Sequence, residues 1–452
     1  MKQSATIRKV AILGVVVVLG VVVGMKALRT TGESARAKSE AVLAASCRLV
    51  LAPLASLPGD KPIDQEIARQ QSLINKGQMS GAALERLGWL FVKKARLSFD
   101  NGFYKLAEQC AACLEARGAK GPDTLLLRAH ALQSLHHFSA AEAAARELVS
   151  LRERPFDYGV LGDILIDQGN IREGAMAYQK MVDLRPDLQS YARAAHVRWL
   201  TGDLNGAIQL MHLATRASSP NDPEAAAWAF TRLALYQLQG GTTKQALQSC
   251  EAALALQSDY APAIFARGRT LLAMNRSSEA VAELKRAANL NTLPEYQWAL
   301  ADALILTGDR DEAAKIESQI AAGATEDPRT LSLFLATRKM DLERAVLLAQ
   351  QELTNRRDVF TLDAVAWALA ATGRPSEAQQ HVNQILAQRT ADPRLYFHAG
   401  VIAALNSYNK EAKRWLDQAA AARQMLLPGE RVELELWRQK VGHKTHDLPK
   451  QH

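Results

Sequence analysis

Apolar and polar positions along most of this chain follow the period of an amphipathic helix, and turns interrupt the pattern at regular intervals. In the stretch 160–186, an apolar helical face that includes Leu165 ends at Gly169. Glycine readily adopts the left-handed conformation that closes a helix. A second apolar face, which includes Tyr178, follows, and Pro186 stops it because proline has no N–H to donate. The pattern predicts a hairpin of two helices, about 34 residues long.

The hairpin recurs along the chain. A small residue occupies the same place in the second helix of each copy, at intervals of 33, 33, 39, 34, 33, 32, 33 and 34 residues. A larger side chain there would push the paired helices apart. These residues are Ala141, Gly174, Ala207, Ala246, Ala280, Ala313, Ala345, Ala378 and Ala412. The interval of 39 indicates an insertion near 218–226. One hairpin cannot bury its apolar face alone, so the copies are expected to stack.

This pattern resembles the tetratricopeptide repeat (TPR). The residues that carry the resemblance in one unit are Leu161, Gly162, Gly169, Gly174, Tyr178 and Pro186. About ten units cover roughly three-quarters of the chain; they start near 88, 122, 155, 188, 227, 261, 294, 326, 359 and 393. The unit at 326 lacks the usual glycine turn. The resemblance implies an all-α, right-handed α-solenoid and a bacterial, membrane-anchored type of protein.

The N-terminus differs from the rest. Residues 10–25 carry no charge, and the apolar stretch extends to 28 if Lys26 snorkels to the interface. We expect a transmembrane anchor at 10–28 after a short tail at 1–9, with a cleaved signal peptide as the alternative. The basic residues before the span place the tail in the cytoplasm, although others follow it closely. The expected location is therefore the cell (inner) membrane, with a single span and an extracytoplasmic body. Gly20 and Gly24 form a GxxxG pair that would allow a homodimer.

The remaining boundaries follow from composition. Residues 29–62 are predicted to be a tether and 63–87 an irregular helical cap, because terminal repeats need a polar outer face. The repeats are assigned to 88–426. Residues 427–452 are predicted to contain the end of a C-terminal helix and a disordered tail, since the last stretch shows no apolar periodicity.

Charge and motifs exclude several functions. The net charge is +8, but the basic residues are scattered, whereas nucleic-acid binding needs a concentrated stripe. Cys110 and Cys113 form a CxxC inside a predicted helix, without the second ligand pair of a zinc site. These two cysteines are interpreted as small apolar filler between packed helices. Cys47 loosely suggests a lipoprotein site, but it lies too far from the apolar run. No catalytic, phosphate-binding or cofactor motif is present in the sequence. We therefore predict no enzyme, no cofactor and no metal.

A partner groove is predicted by analogy with the family, in which positions 2, 5, 9 and 12 of each unit face inward. Aromatic residues flanked by charges suit a protein or peptide partner. The inward set is Trp89, Arg96, His130, Asp163, His196, Trp199, Arg269, Trp298, Asp302 and Trp367. The expected function is a membrane-tethered scaffold that binds a partner through this groove. The alternatives are an assembly factor that acts through its convex face and anchor, and a secreted protein after signal cleavage.

Overall fold

The computed structural model describes residues 47–52, 62–76, 80–323 and 327–446, without the side chains of 443–446. Within these ranges the chain is all-α and contains no strand, which confirms the predicted class. It divides into an N-terminal unit that ends at Leu135 and a C-terminal unit that begins at His136. The predicted anchor at 10–28, with Gly20 and Gly24, lies outside the described residues. None of the described helices combines the length and the apolar composition that a membrane span requires.

Within its described residues, the N-terminal unit contains four helices and a preceding helical turn at 47–51. The helices are α1 (Pro62–Asn75), α2 (Gly81–Ser98), α3 (Gly102–Ala116) and α4 (Pro122–Ser134). Regular helix α1 lies where the sequence predicts an irregular cap. Its buried residues Ile67 and Ile74 are seven positions apart and thus on one face, a spacing that the proline-rich flanks obscured.

The C-terminal unit continues the series of helices. They are α5 (Phe138–Leu151), α6 (Pro155–Asp167), α7 (Ile171–Leu184), α8 (Leu188–Leu200), α9 (Leu204–Arg216), α10 (Pro223–Gln239), α11 (Thr243–Leu256), α12 (Ala261–Ala273), α13 (Ser277–Leu290), α14 (Pro294–Thr307), α15 (Arg310–Ala322), α16 (Pro328–Arg338), α17 (Leu342–Asn355), α18 (Val359–Ala371), α19 (Pro375–Ala387), α20 (Pro393–Leu405), α21 (Asn409–Ala421) and α22 (Pro428–His446). A 3-10 turn, Arg423–Met425, precedes α22.

Close approach of paired helices explains the small residue in each second helix. The eight alanines of the set predicted above are all fully buried. The first helix of a pair follows the same rule: a Cβ atom on Gly162 of α6 would lie 2.3 Å from the ring of Tyr178 on α7. Side chains larger than hydrogen or methyl at these positions would therefore separate the two helices.

Local signals fix the ends of the helices. Many first helices begin with proline, which is preorganised for the first helical position. Gly169 closes α6 with a φ of +84°, as expected. In the unit without a glycine turn, Lys339 and Asp341 adopt positive φ values of 54° and 40° instead. The 39-residue interval is accommodated by α10, which is 17 residues long.

A disulfide joins Cys47 to Cys113 on α3, and this corrects the interpretation of Cys113 as apolar filler. The segment that carries Cys47 folds back onto the unit: Gln71 of α1 donates to the carbonyl oxygens of Val50 (2.8 Å) and Ala52 (3.0 Å), and Val50 is fully buried. This return brings the two sulfur atoms together. Cys110 and Cys250 are buried free thiols, and burial raises the pKa of Cys250 to about 12.

Helix α22 occupies much of the segment in which the sequence predicts a helix end and a disordered tail. The helix continues to His446, and residues 447–452 lie outside the described part. Leu434 and Val441 are buried on one side of it. They are seven residues apart and therefore lie on the same helical face, a spacing that is easily missed among the polar residues between them.

Distant parts of the C-terminal unit pack against each other. One core cluster combines residues from α6 to α10 with Val359, Leu362, Ile385 and Leu395. Thr390 donates to the carbonyl oxygen of Leu200 at 2.8 Å, across 190 residues of sequence. At Gly202, which has a φ of +88°, a Cβ atom would lie 2.8 Å from the carbonyl oxygen of Arg389. The later repeats therefore cover inner positions of the earlier ones.

Candidate partner-binding surface

In the N-terminal unit, the structure brings two of the three predicted groove residues together. The rings of Trp89 and His130 are 5.6 Å apart, and both side chains are half-buried. Tyr104 of α3 lies edge-on to His130 at 6.4 Å. Arg96, one turn after Val92 on α2, is exposed. The aromatic part of this set is thus a cluster between neighbouring helices.

Asp163 is fully engaged within the C-terminal unit. Its carboxylate accepts hydrogen bonds from the Tyr178 hydroxyl (2.7 Å) and from Nε and Nη2 of Arg193 (2.8 and 2.6 Å). Burial and this carboxylate raise the pKa of Tyr178 well above its usual value. Sequence reasoning did not single out Arg193, which reaches Asp163 from the next repeat.

His196 and Trp199 belong to an aromatic stack that crosses the unit. The Trp199 ring lies 5.6 Å from His196 and 5.8 Å from Phe360 of α18, nearly parallel to the latter. Its Nε1 donates to Gln239 at 2.9 Å, and the side chain is 8% exposed. Burial, followed by the charge of Arg232, lowers the pKa of His196 to about 3, so the imidazole is neutral at physiological pH.

Trp298, Asp302 and Arg269 surround the start of α22. Trp298 is 2% exposed, and the Arg394 guanidinium lies 5.4 Å from the centre of its ring. Asp302 pairs with Arg338 and accepts from the backbone N–H of Gly429 at 2.8 Å. Burial raises the pKa of Asp302. Arg269 donates to the carbonyl oxygen of Met425 in the turn before α22.

Trp367 is held in a buried polar and aromatic group. Its Nε1 donates to Thr337 Oγ1 at 2.9 Å, and its ring stacks on His398 at 4.0 Å. His398 is 1% exposed, and its Nδ1 lies 2.9 Å from Asp363 Oδ2. These contacts join α16, α18 and α20. The inward orientation of Trp367 here serves packing between repeats.

The predicted groove residues of the C-terminal unit are therefore occupied by contacts within the chain. Gln424, in the turn before α22, donates to the carbonyl oxygens of Leu238 (3.1 Å) and Gln239 (2.8 Å) at the end of α10. Arg394 of α20 pairs with the buried Glu430 of α22 at 2.7 Å. The C-terminal segment of the chain thus packs against the first helices α10 and α20 of earlier repeats. Contact between these predicted groove residues and a partner remains a prediction.

One stretch of the inner side remains open. Pro428 begins α22 as Pro393 begins α20, and counting from Pro428 places Val432 and Leu436 at positions 5 and 9. These side chains are 64% and 50% exposed. They line a cleft of about 680 Å³, together with Gln439 at position 12. The i, i+4 spacing of Val432 and Leu436 after a proline was the sequence signal for this site, and the prediction of a disordered tail hid it.

A smaller cavity of about 200 Å³ lies beside His196. Two cations line it, and both are neutralised: Arg356 pairs with Glu352 at 2.8 Å, and Arg329 lies 3.5 Å from Asp358. Both lining cations are therefore already paired with carboxylates of the chain rather than available to an anionic ligand. In the described part of the chain, no group of three or more His, Cys, Asp or Glu residues is placed to hold a metal ion.

Comparisons with known proteins find likeness in structure only. No protein-family model and no curated protein matches the chain. Among solved structures, yeast Tom70 is 13% identical, with 87% of this chain and 98% of Tom70 covered and a TM-score of 0.36. Human IFIT1, solved as a dimer with PPP-AAAA, is 13% identical, with 81% and 95% covered and a TM-score of 0.46. A tetratricopeptide repeat protein from Parabacteroides merdae is also 13% identical, with 56% and 98% covered and a TM-score of 0.32. The helix hairpins of this chain return at the period read from its sequence, and this gives it the repeated-hairpin fold of tetratricopeptide repeats.

Proposed function

We propose that this protein is a membrane-tethered TPR adaptor whose repeat body binds a partner protein outside the cytoplasm and performs no catalysis. The main observation behind this proposal is that three carboxylates on first helices of the repeats are already paired within the chain. Asp163, Asp302 and Asp363 are each held by an arginine or a histidine of the same chain. Carboxylates held in this way organise the fold and present no group to a substrate, whereas exposed apolar side chains remain available for a partner.

The disulfide supports the extracytoplasmic location. Disulfides persist in oxidising compartments such as the bacterial periplasm and are rare in a reducing cytoplasm. Cys47 lies 19 positions after residue 28, the end of the apolar segment, and pairs with Cys113 in the repeat body. A chain that spans the membrane at 10–28 with its N-terminus inside would deliver both cysteines to the oxidising side.

Thiol trapping in intact cells tests the location. Cells are quenched with acid, free thiols are blocked with a maleimide reagent in denaturant so that the buried thiols also react, and the protein is then reduced and labelled with a second, heavier maleimide. The proposal expects two heavy labels, on Cys47 and Cys113, and none in a Cys47→Ser variant. Light labels on both cysteines would place the body in a reducing compartment. Carbonate extraction of the same cells separates a membrane-anchored chain from a cleaved, soluble one.

Photo-crosslinking tests the adaptor function. A photoreactive residue replaces exposed apolar side chains on different faces, such as Met176, Leu306 and Leu436. Specific protein products from at least one face, identified by mass spectrometry, would support an adaptor. No product above background from any of these faces would contradict it. A replacement at the buried Trp298 serves as the inward control, because that side chain lacks access to a partner.

A further inference from the structure

The cleft beside α22, here called the C-terminal cleft, combines an apolar face with an excess of positive charge. Its apolar face is made by Val432 and Leu436, one helical turn apart. The last helix of a repeat array normally needs a polar outer surface to remain soluble. Two largely exposed aliphatic side chains at inward-facing positions are therefore a feature that solubility alone does not explain.

The opposite wall consists of two turns between paired helices. Gly241 lies in the turn between α10 and α11, and Thr243 begins α11. Ala273 ends α12, and Asn275 lies in the turn after it. These residues are small or polar, so they leave room above the apolar face. The volume of the cleft, about 680 Å³, lies in the range of known ligand pockets. It can accept several side chains of a partner.

Positive charge is in excess at the cleft. Arg431 donates to the carbonyl oxygens of Leu426 (2.9 Å) and Gln424 (3.0 Å), and no described carboxylate lies within ion-pair distance of it. Arg423 is 65% exposed and lies 3.8 Å from Glu435, which also pairs with Arg438 at 3.2 Å.

The excess positive charge shifts the pKa of Arg431. Burial, followed by the charges of Arg269 and Arg423, lowers the pKa of Arg431 to about 10. A partner carboxylate would relieve this repulsion, because opposite charges attract strongly where solvent is partly excluded.

We propose that the C-terminal cleft docks an apolar and acidic segment of the partner protein. Two apolar side chains of that segment pack on Val432 and Leu436, and its carboxylates lie against Arg423 and Arg431. This inference rests on the proposed adaptor function and assigns the surface that performs it. Apolar contact supplies the affinity, and the charges select the partner and its orientation. A second copy of this chain, or its own residues 447–452, are the competing occupants.

The experiment places a photoreactive residue at Val432 or Leu436 in intact cells and maps the crosslinked segment by mass spectrometry. The expected result is one dominant partner, linked through a segment rich in apolar and acidic residues. A synthetic peptide of that segment should then bind the purified full chain in fluorescence anisotropy. Its affinity should fall at least tenfold in Leu436→Ser and in Arg423→Glu.

Matched controls decide between the occupants. Leu306 is as exposed as Leu436 but lies outside the cleft, so Leu306→Ser should leave peptide affinity unchanged. A basic crosslinked segment, a link to a second copy or to residues 447–452, or equal affinity in all variants would overturn the inference. Products from Met176 or Leu306 without any from the cleft would overturn it as well but leave the adaptor function standing. Circular dichroism of each variant excludes unfolding as the cause of lost binding.

Discussion

Loss of the Cys47–Cys113 disulfide should destabilise the N-terminal unit by a calculable amount. The bridge closes a loop with a sequence separation of 66 residues. Chain-entropy arguments for a loop of this length give about 4 kcal/mol at 25 °C, which arises because the unfolded chain becomes less restricted when the bridge is removed. The folded segment keeps its other contacts, since Val50 is buried and Gln71 holds the carbonyl oxygens around it. The whole effect is therefore expected in the unfolding equilibrium.

Hydrogen exchange read by mass spectrometry measures this change in the full chain. A loss of about 4 kcal/mol corresponds to a roughly thousandfold decrease in protection of the most slowly exchanging amides of α2 and α3. Reductant should produce the decrease in the wild-type protein but have no further effect on Cys47→Ser, which starts at the low level. A decrease of less than tenfold on reduction would show that the unfolded state is already restricted without the bridge, and would refute the entropic reasoning.

Three further predictions concern the packed interior. Trp298→Ala should cost about 3–5 kcal/mol in urea unfolding, because the side chain is 2% exposed; a variant as stable as wild type would contradict a packing role. Gly162→Ala should cost about 1–3 kcal/mol, since its Cβ would lie 2.3 Å from the Tyr178 ring, while Gly81→Ala, also helical but with ordinary contacts, should be neutral or stabilising. Burial lowers the pKa of His196 to about 3, so the unfolded chain binds the extra proton below about pH 6.5 and stability falls as the pH drops from there towards 3, by up to about 1.4 kcal/mol per pH unit. His196→Gln should remove that share of the slope in urea titrations at several pH values, and an unchanged slope would refute the assignment.

The fold of each repeat was predictable because its determinants are local. Helix period, turn glycines and a small residue in the second helix all lie within one unit, and Ala207 or Ala280 is as fully buried as the spacing requires. The same locality predicted that Trp199 and Trp298 face inward. What they contact depends on Phe360 and Arg394, which lie about one to two hundred residues away in sequence and whose positions follow from the accumulated rotation of many repeats.

The disulfide and the open cleft were beyond sequence reasoning for different reasons. Four cysteines leave the pairing undetermined, and Cys47 reaches Cys113 only because its segment folds back over α1. The cleft depended on recognising α22 as one more inward-facing helix. Its sequence between Pro428 and His446 is dominated by polar residues, so the two exposed aliphatic side chains gave a weak periodic signal.

The hydrogen bonds that join distant repeats of the C-terminal unit change how this repeat protein is expected to fold. In an open array, each repeat contacts only its neighbours, and deletion of the last repeats shortens the protein and little else. Here Thr390 reaches Leu200, and Gln424 reaches Leu238, across 190 and 186 residues. Such contacts raise contact order, so the unit should fold slowly and lose its structure in one cooperative step. Truncation before Val359 would remove Phe360 and Leu362 and so uncover Trp199 and its neighbours, turning a sealed interior into an aggregation-prone surface.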